Sequence, residues 1–253
     1  MPYDLKGRSV LVTGGSAGLG EVICISFAAQ GANVAVNYFN RLEPAQKVAA
    51  ACASHDVKSV VVKGDMCSTA ECRRVVEETI KQLGGIDIVI SNAGWTRFSD
   101  FADLDAMAEE EWDKCWAANV KAPLALLKAA KPTFEANPDG GVFISTGSIA
   151  AVSQGGSSMP YAVTKAAQLQ LIKCLGATQG PKIRVNTVLP GLLLTEWGSK
   201  YSAERIQAAK DDAALKHETD LQDCADAFIM LAKNTSITGA RIQVDAGLNV
   251  QGT

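Results

Sequence analysis

The chain contains 253 residues, with 24 Lys plus Arg against 27 Asp plus Glu, and its formal net charge is −3. Hydrophobic residues make up 47 % of the chain, which is ample to offset the entropy of ordering it and excludes a disordered protein. The near-balanced charge argues against a surface built for nucleic acid or an anionic membrane. Because His55 and His217 are the only histidines, a histidine-rich metal site and histidine-based catalysis are disfavoured.

Seven cysteines are scattered along the chain without a C-x-x-C pair, a pattern typical of reduced thiols in a cytosolic protein. They show no metal-ligand spacing, so no metal is predicted. The N-terminus has no apolar signal core, and the uncharged run Val22–Asn40 is interrupted by Gln30-Gly31. We therefore expect a cytoplasmic protein that does not enter a membrane.

Short apolar runs rich in Val and Ile alternate along the chain with longer segments of helical period. The runs predict strands buried on both faces: Ser9–Thr13, Asn33–Tyr38, Val57–Lys63, Ile86–Ser91, Gly141–Ser145, Ile183–Leu189 and Ala240–Val244. The longer segments predict helices: Gly18–Ala29, Leu42–Ser54, Thr69–Leu83, Leu104–Ala118, Val120–Glu135, Pro160–Gly176 and Leu221–Ala232. A regular βαβα order requires right-handed crossovers and a largely parallel sheet. We predict one α/β domain over residues 1–253, a doubly wound Rossmann-type fold with a seven-stranded, mostly parallel sheet and helices on both faces.

The segment Leu192–Asp220 does not follow this alternation. It carries Trp197, Tyr201 and many charges without a clean period. A long excursion after a strand of a parallel sheet is where loops that cover a binding site lie. We predict a substrate lid at about residues 192–220.

The first predicted strand ends in a glycine turn, Thr13-Gly14-Gly15-Ser16-Ala17-Gly18-Leu19-Gly20, and a helix follows it. Glycines let the backbone turn tightly and let a pyrophosphate approach, and the free N–H groups of the helix attract its charge. A merely structural turn is the alternative. The position at the first βα turn favours a dinucleotide site.

The turn resembles that of the short-chain dehydrogenase/reductase family, usually T-G-x-x-x-G-x-G. Similar motifs follow in that family's order over essentially the whole chain: Gly64-Asp65-Met66, Ser91-Asn92-Ala93-Gly94, Pro190-Gly191-Leu192-Leu193-Leu194-Thr195 and the ending Thr238–Gly247, in which Ala246 replaces the usual Gly. The resemblance implies a nicotinamide cofactor held by these positions: Gly14, Ser16, Gly18, Leu19, Gly20, Asp65, Met66, Asn92, Ala93, Gly94, Pro190, Gly191, Leu193 and Thr195.

The end of the second predicted strand bears on which nicotinamide cofactor binds. A carboxylate there would bond the adenosine ribose 2′-hydroxyl and repel a 2′-phosphate. Asn37 is interpreted as occupying that place, and Arg41 is near enough to meet a phosphate. The alternative is that Asn37 caps the strand and Arg41 is solvated. We predict NADP(H), held in part by Asn37 and Arg41, with NAD(H) as the alternative.

Tyr161-Ala-Val-Thr-Lys165 is the sharpest local pattern for catalysis. Residues four apart share a helix face, so the phenol and the ammonium can converge on one ligand. Ser148 and Asn119 match two further positions of the family pattern. The resemblance implies that Tyr161 is the acid or base, Ser148 bonds the substrate oxygen, and Lys165 lowers the Tyr161 pKa and binds the nicotinamide ribose. It also implies that Asn119 holds a water that links Lys165 to solvent.

The predicted substrate pocket is lined by Trp95, Ala150, Gln154, Trp197 and Tyr201. Aromatic and apolar groups in a cleft suit a bulky apolar or aromatic ketone, or the matching secondary alcohol. Alternatively, Trp197 and Tyr201 only pack the lid. Reduction of an imine or enone on the same scaffold stays open, as does a non-catalytic sensor of NADP(H). The resemblance also implies a homo-oligomer, a tetramer or a dimer.

Overall fold

A computed structural model describes residues 3–250 of the chain; residues 1–2 and 251–253 of the predicted domain lie outside the described residues. Seven strands form one sheet in the order β3-β2-β1-β4-β5-β6-β7, and each pairing is parallel. The strands are β1 Ser9–Val12, β2 Asn33–Tyr38, β3 Ser59–Lys63, β4 Ile88–Ser91, β5 Gly141–Thr146, β6 Ile183–Pro190 and β7 Arg241–Val244. The predicted doubly wound α/β fold is confirmed.

The strands read as continuous apolar runs because helices cover both faces of the sheet. All four residues of β1 and of β4 are buried. The helices are α1 Gly18–Ala29, α2 Leu42–Ala53, α3 Thr69–Leu83, α4 Glu109–Trp116, α5 Ala122–Ala136, α6 Met159–Thr178, α7 Ala203–Asp212 and α8 Leu221–Lys233. Helices α1, α2 and α8 enclose one core against the sheet, and α3, α5 and α6 enclose the other.

Helices α4 and α5 differ from the predicted Leu104–Ala118 and Val120–Glu135. Helix α4 begins only at Glu109, since Leu104, taken as its first apolar residue, is 79 % exposed. A π-helical turn over Ala117–Lys121 joins α4 to α5, where the prediction placed a break. Such turns shift the register of a helix and are frequent at functional sites. This one contains Asn119.

Helix α7 lies in the middle of the segment predicted as a lid, where no helix was predicted. None of its residues is buried, so it has no apolar stripe from which a helical period could be read. Its one local sign is Ser202, whose side chain accepts a hydrogen bond from the backbone N–H of Arg205 at 3.3 Å.

Strand β1 pairs with β2 on one side and with β4 on the other. The strand order therefore reverses direction at β1, and ligands bind outside the carboxyl ends of strands at such a point. Within residues 3–250, no helix has both the length and the apolar character that a bilayer crossing requires.

Candidate active site

A cavity of about 930 Å³ opens at the carboxyl edge of the sheet. The loops after β1, β4, β5 and β6 all contribute to it. Most of the predicted site residues line it: Gly14, Ser16, Gly18, Leu19, Gly20, Arg41, Asn92, Ala93, Gly94, Ser148, Ala150, Gln154, Tyr161, Lys165, Pro190, Gly191, Leu193, Thr195, Trp197 and Tyr201. Sequence motifs that lie far apart along the chain therefore meet in one space.

The glycine turn has the shape and the free donors that a pyrophosphate needs. Gly14 and Gly18 adopt φ values of 62° and 57°, in the left-handed region that favours glycine. A Cβ at Gly20 would lie 2.3 Å from the carbonyl oxygen of Gly14. No side chain caps the N-terminus of α1, whose N-cap residue is Ala17. The first N–H groups of α1 are thus free to receive an anion, and the residues present fit a dinucleotide.

Asn92 fastens the turn to the rest of the sheet edge. Its side-chain amide donates to the carbonyl oxygens of Thr13 and Gly14, at 3.0 and 3.3 Å. Its Oδ1 accepts a hydrogen bond from the Thr146 hydroxyl at 3.1 Å. In return, the Thr13 hydroxyl accepts from the backbone N–H groups of Asn92 and Ala93. One amide side chain therefore joins the ends of β1, β4 and β5.

Asn37 is not where the prediction placed it. Its side chain is 1 % exposed and does not line the cavity. Its Oδ1 accepts from the N–H of Gly14 at 3.1 Å, and its amide donates to the carbonyl oxygens of Val62 and Gly64. Successive side chains of a strand point to opposite faces, and Tyr38 is the residue of β2 that lines the cavity. Asn37 holds the glycine turn, and the prediction that it faces the ribose was wrong.

Asp65 and Met66 also lie outside the cavity lining. The Asp65 carboxylate accepts from the N–H of Cys67 at 2.8 Å, which forms a local turn after β3. Met66 is buried, and the Cys72 thiol contacts its carbonyl oxygen. The loop after β3 thus folds back on α3 outside the cavity wall, and the cofactor contacts of Asp65 and Met66 stay a prediction.

Tyr161 and Lys165 do share one face of α6, as predicted. Ser158 caps this helix by accepting from the N–H of Tyr161 at 3.3 Å, which fixes where the helix begins. The Lys165 ammonium lies 5.5 Å from the centre of the Tyr161 ring and donates to the carbonyl oxygen of Thr146 at 2.7 Å. Ser148 lies just after β5 and lines the same cavity as Tyr161 and Lys165. Its Oγ accepts a hydrogen bond from the N–H of Ala150.

Burial controls the charge of both groups. It raises the pKa of Tyr161 above its usual range, and the nearby Ser148 hydroxyl opposes that rise. Burial also lowers the pKa of Lys165 from 10.5 to about 7. The family resemblance implied that Lys165 lowers the pKa of Tyr161. In the protein without bound ligands, burial is instead the largest influence on that pKa, and it raises it. Both side chains are therefore held towards their neutral forms.

Asn119 and Trp95 lie outside the cavity wall and are hydrogen-bonded to each other. Asn119 is fully buried; its Oδ1 accepts from the N–H of Trp95, and its amide donates to the Trp95 carbonyl and the Thr164 hydroxyl. Its carbonyl oxygen accepts from Gln168 at 2.7 Å. Neither Asn119 nor Trp95 lines the cavity. The side chain of Asn119 thus ties the loop after β4 to α6, and its water-holding role stays a prediction. Trp95 lies outside the cavity wall, although the predicted substrate pocket had included it.

The predicted substrate end of the cavity is aromatic. The rings of Tyr161 and Trp197 lie 5.9 Å apart, and Tyr201 meets Phe98 edge-to-face at 4.7 Å. Several residues of the cavity wall were not predicted from the sequence, among them Tyr38, Phe39, Gly156, Lys200, Arg205, Leu248 and Asn249. Arg205 donates to the carbonyl oxygen of Gly156 at 2.9 Å. Tyr38 ends β2 and Arg205 lies in α7, whereas the others come from turns and loops with no periodic pattern. The tertiary fold brings them together.

Within the described part of the chain, no three or more His, Cys, Asp or Glu side chains are placed to share a metal ion. The phenol of Tyr161, the Lys165 side-chain nitrogen and the hydroxyl of Ser148 lie among the groups of the cavity that can hold a proton.

Comparison with known proteins agrees with this geometry. A family model described as Enoyl-(Acyl carrier protein) reductase matches residues 14–249. A protein named as a ketoacyl reductase of the granaticin polyketide synthase of Streptomyces violaceoruber is 33 % identical over 242 residues, 95 % of either chain. An L-rhamnose 1-dehydrogenase (NAD(P)(+)) of Sphingomonas is 30 % identical over 251 residues, 97 % of this chain and 98 % of its own.

One solved structure is similar to this protein over nearly the whole length of both chains. It is a short chain dehydrogenase from Burkholderia cenocepacia in complex with NADP, with a TM-score of 0.90 and 30 % identity, and the match covers 98 % of this chain and 100 % of that one. The chain therefore belongs to the short-chain dehydrogenase/reductase family. It is an oxidoreductase of that family, as the sequence predicted.

Replacing Asn37 by Asp tests where its side chain lies. We expect Asn37→Asp to lower the free energy of unfolding by about 1–3 kcal/mol, because a carboxylate oxygen would face two carbonyl oxygens that now accept hydrogen bonds. Tyr38→Asp, at the cavity edge, shifts the ratio of dissociation constants towards NADH instead. Urea unfolding and fluorescence titration measure the two effects. An Asn37→Asp protein as stable as the wild type, with a gain in NADH binding, would contradict this placement.

The lowered pKa of Lys165 predicts a pH dependence of stability in the cofactor-free protein. Between about pH 7 and about pH 10.5 the unfolded chain keeps a proton on Lys165 that the folded chain releases. Stability rises with pH wherever the unfolded state binds more protons. The unfolding free energy of the wild type, relative to Lys165→Met, therefore increases across this window, by at most about 1.4 kcal/mol per pH unit.

Urea unfolding of both proteins over that window measures this difference. Lys173→Met, at an exposed position of the same helix, is the matched control and leaves the slope unchanged. Parallel profiles for the wild type and Lys165→Met would show that burial does not depress the Lys165 pKa.

Proposed function

We propose that the protein is an NADP(H)-dependent oxidoreductase that interconverts a bulky apolar or aromatic ketone and its secondary alcohol, with NAD(H) as a weaker alternative cofactor. The observation that carries this proposal is the placement of Tyr161, Ser148 and Lys165 in the same cavity as the glycine turn. The aromatic surface of Trp197 and Tyr201 supports the substrate class. The ketoacyl reductase named among the relatives supports carbonyl reduction.

Each residue has a distinct part in the proposed reaction. The nicotinamide, when bound, supplies the hydride in reduction and accepts it in oxidation. Tyr161 holds a proton on its phenol oxygen and donates it to the carbonyl oxygen in reduction; in oxidation it takes the proton back. Ser148 donates a hydrogen bond to the same oxygen as negative charge develops there. Lys165 holds the nicotinamide ribose and favours the phenolate when it is charged.

The adenosine end of the cofactor supports NADP(H). Arg41 lines the cavity just after β2, within the part of the groove that Tyr38 and Phe39 also line. An arginine recognises a 2′-phosphate by charge-assisted, bidentate hydrogen bonds. The Burkholderia relative was solved with NADP, and the Sphingomonas relative is named for both cofactors.

The lid, the assembly and the cellular location belong to the same proposal. The segment 192–220 forms one wall of the cavity through Trp197, Tyr201 and Arg205 and would cover the bound substrate. Leu124 on α5 and Val163 on α6 are large apolar residues that remain exposed, which supports association of these helices with those of another copy in a dimer or tetramer. The seven free cysteines support a reducing, cytoplasmic location.

Tyr161→Phe tests the proposed proton transfer. Because the ring is kept and only the hydroxyl is lost, we expect NADPH to bind normally while turnover of an aromatic ketone falls by about 100-fold or more. Nicotinamide absorbance and fluorescence titration give the two quantities. Tyr3→Phe is the matched control, since its buried hydroxyl has no hydrogen-bond partner and lies outside the cavity.

Two results would count against the proposal. If Tyr161→Phe keeps most of its turnover, Tyr161 is not the acid. A panel of ketones, secondary alcohols, imines and enones, followed by nicotinamide absorbance, tests the substrate class. Turnover only of imines or enones would reject the ketone, and binding of NADPH without turnover of any member would favour a sensor.

A further inference from the structure

An ion pair crosses the cavity between the loop after β2 and the segment after β6. The Arg41 guanidinium donates from Nη1 to Oε2 of Glu196 at 2.6 Å. Arg41 follows β2, whereas Glu196 belongs to the segment after β6, and both side chains line the cavity. The pair therefore connects two walls of the groove that are 155 residues apart along the chain.

Thr195, the residue before Glu196, packs against the glycine turn and so positions this segment beside the groove. A Cβ placed on Gly18 would lie only 3.1 Å from Cγ2 of Thr195, so Thr195 packs on the glycine turn. The Thr195 hydroxyl also accepts from the N–H of Trp197 at 3.3 Å. The two neighbours of Glu196 are thus bonded to each other, and Thr195 is packed on the glycine turn, while the Glu196 carboxylate meets Arg41 across the groove.

Glu196 is also unusual in its charge. Among the described residues that line the cavity it is the one acidic side chain, beside the basic Arg41, Lys165, Lys200 and Arg205. A groove that takes an anionic dinucleotide has no need of a carboxylate for attraction, since like charges repel at short range. A carboxylate that already holds Nη1 of Arg41 therefore opposes a phosphate at the same guanidinium, because it occupies one donor group and repels the incoming negative charge.

We propose that Glu196 is a specificity-determining residue, which competes with the 2′-phosphate of NADP(H) for Arg41 and thereby narrows the preference for NADP(H) over NAD(H). This inference rests on the proposed function, in which Arg41 meets the 2′-phosphate. A 2′-phosphate at Arg41 has to compete with Glu196 for the guanidinium and lies close to its carboxylate. NAD(H), which carries a ribose hydroxyl at that place, leaves the pair intact.

The expected size of the effect follows from the exposure of the pair. The side chains of Arg41 and Glu196 are 45 % and 77 % exposed, so solvent and salt screen their attraction. Exposed ion pairs of this kind change an equilibrium by roughly two- to fivefold. The effect is largest at low ionic strength and shrinks as salt is added.

The test measures binding rather than turnover. Glu196→Gln keeps the shape of the side chain and removes its charge. We expect its dissociation constant for NADPH to fall roughly two- to fivefold at low salt, while that for NADH stays unchanged. Titration with adenosine 2′,5′-bisphosphate and with ADP isolates the adenosine end, and the first ligand alone gains affinity.

Three further variants complete the test. Glu43→Gln is the matched control, because Glu43 lies two residues from Arg41 but pairs with Lys47 at 2.9 Å and does not line the cavity. It leaves the ratio of the two dissociation constants unchanged. Arg41→Gln weakens NADPH binding, and in the Arg41→Gln background the gain from Glu196→Gln disappears.

The outcomes separate this inference from the proposed function. If Arg41→Gln leaves NADPH binding unchanged, Arg41 is not the phosphate contact and the proposed basis of the cofactor preference fails. If Arg41→Gln weakens NADPH binding but Glu196→Gln changes NADPH and NADH equally, the competition by Glu196 is rejected while the proposed function stands. A gain that persists without Arg41 would likewise reject it.

Discussion

The junction between Thr13 and Asn92 is the contact on which the candidate site depends. The Asn92 side chain bonds backbone oxygens at the end of β1 and the Thr146 hydroxyl at the end of β5. The loop after β1 carries the glycine turn, and the loop after β5 carries Ser148. By fixing these loops to each other, the junction sets how a dinucleotide on the turn faces Tyr161. Buried polar networks of this kind specify one arrangement because each group left unpaired would cost free energy.

Two buried asparagines outside the cavity also hold loops at this edge of the sheet. Asn37 holds the N–H of Gly14 from β2, and Asn119 holds the loop around Trp95 from the π-helical turn. Both are buried asparagines that bond backbone groups, and neither lines the cavity. They act through the residues they position, so the cavity can present a set of pre-organised donors to a ligand. Burial of Tyr161 and Lys165 in that cavity raises the pKa of the phenol and lowers that of the ammonium, so both groups are held towards their neutral forms.

Local patterns predicted the elements and residues that depend on short-range rules. The glycine turn could be predicted because its strand, turn and helix are consecutive, and Tyr161 with Lys165 because four residues make about one helical turn. Asn37 could not be placed, since in a strand a shift of one residue moves a side chain to the opposite face. Tyr38 was missed for the same reason. Helix α7 has no buried residue, so no apolar period marks it. Leu248 and Asn249 reach the cavity only through the tertiary fold.

The central claim is that this cavity transfers a hydride between a nicotinamide and a carbonyl carbon. Transfer of deuterium tests it most directly: the protein is incubated with NADPH carrying deuterium at C4 of the nicotinamide and with an aromatic ketone, and the alcohol is analysed by mass spectrometry and NMR. The account predicts an alcohol with deuterium on the carbinol carbon and a hydroxyl proton that comes from solvent. An alcohol without deuterium on that carbon, or consumption of NADPH without alcohol, would contradict it.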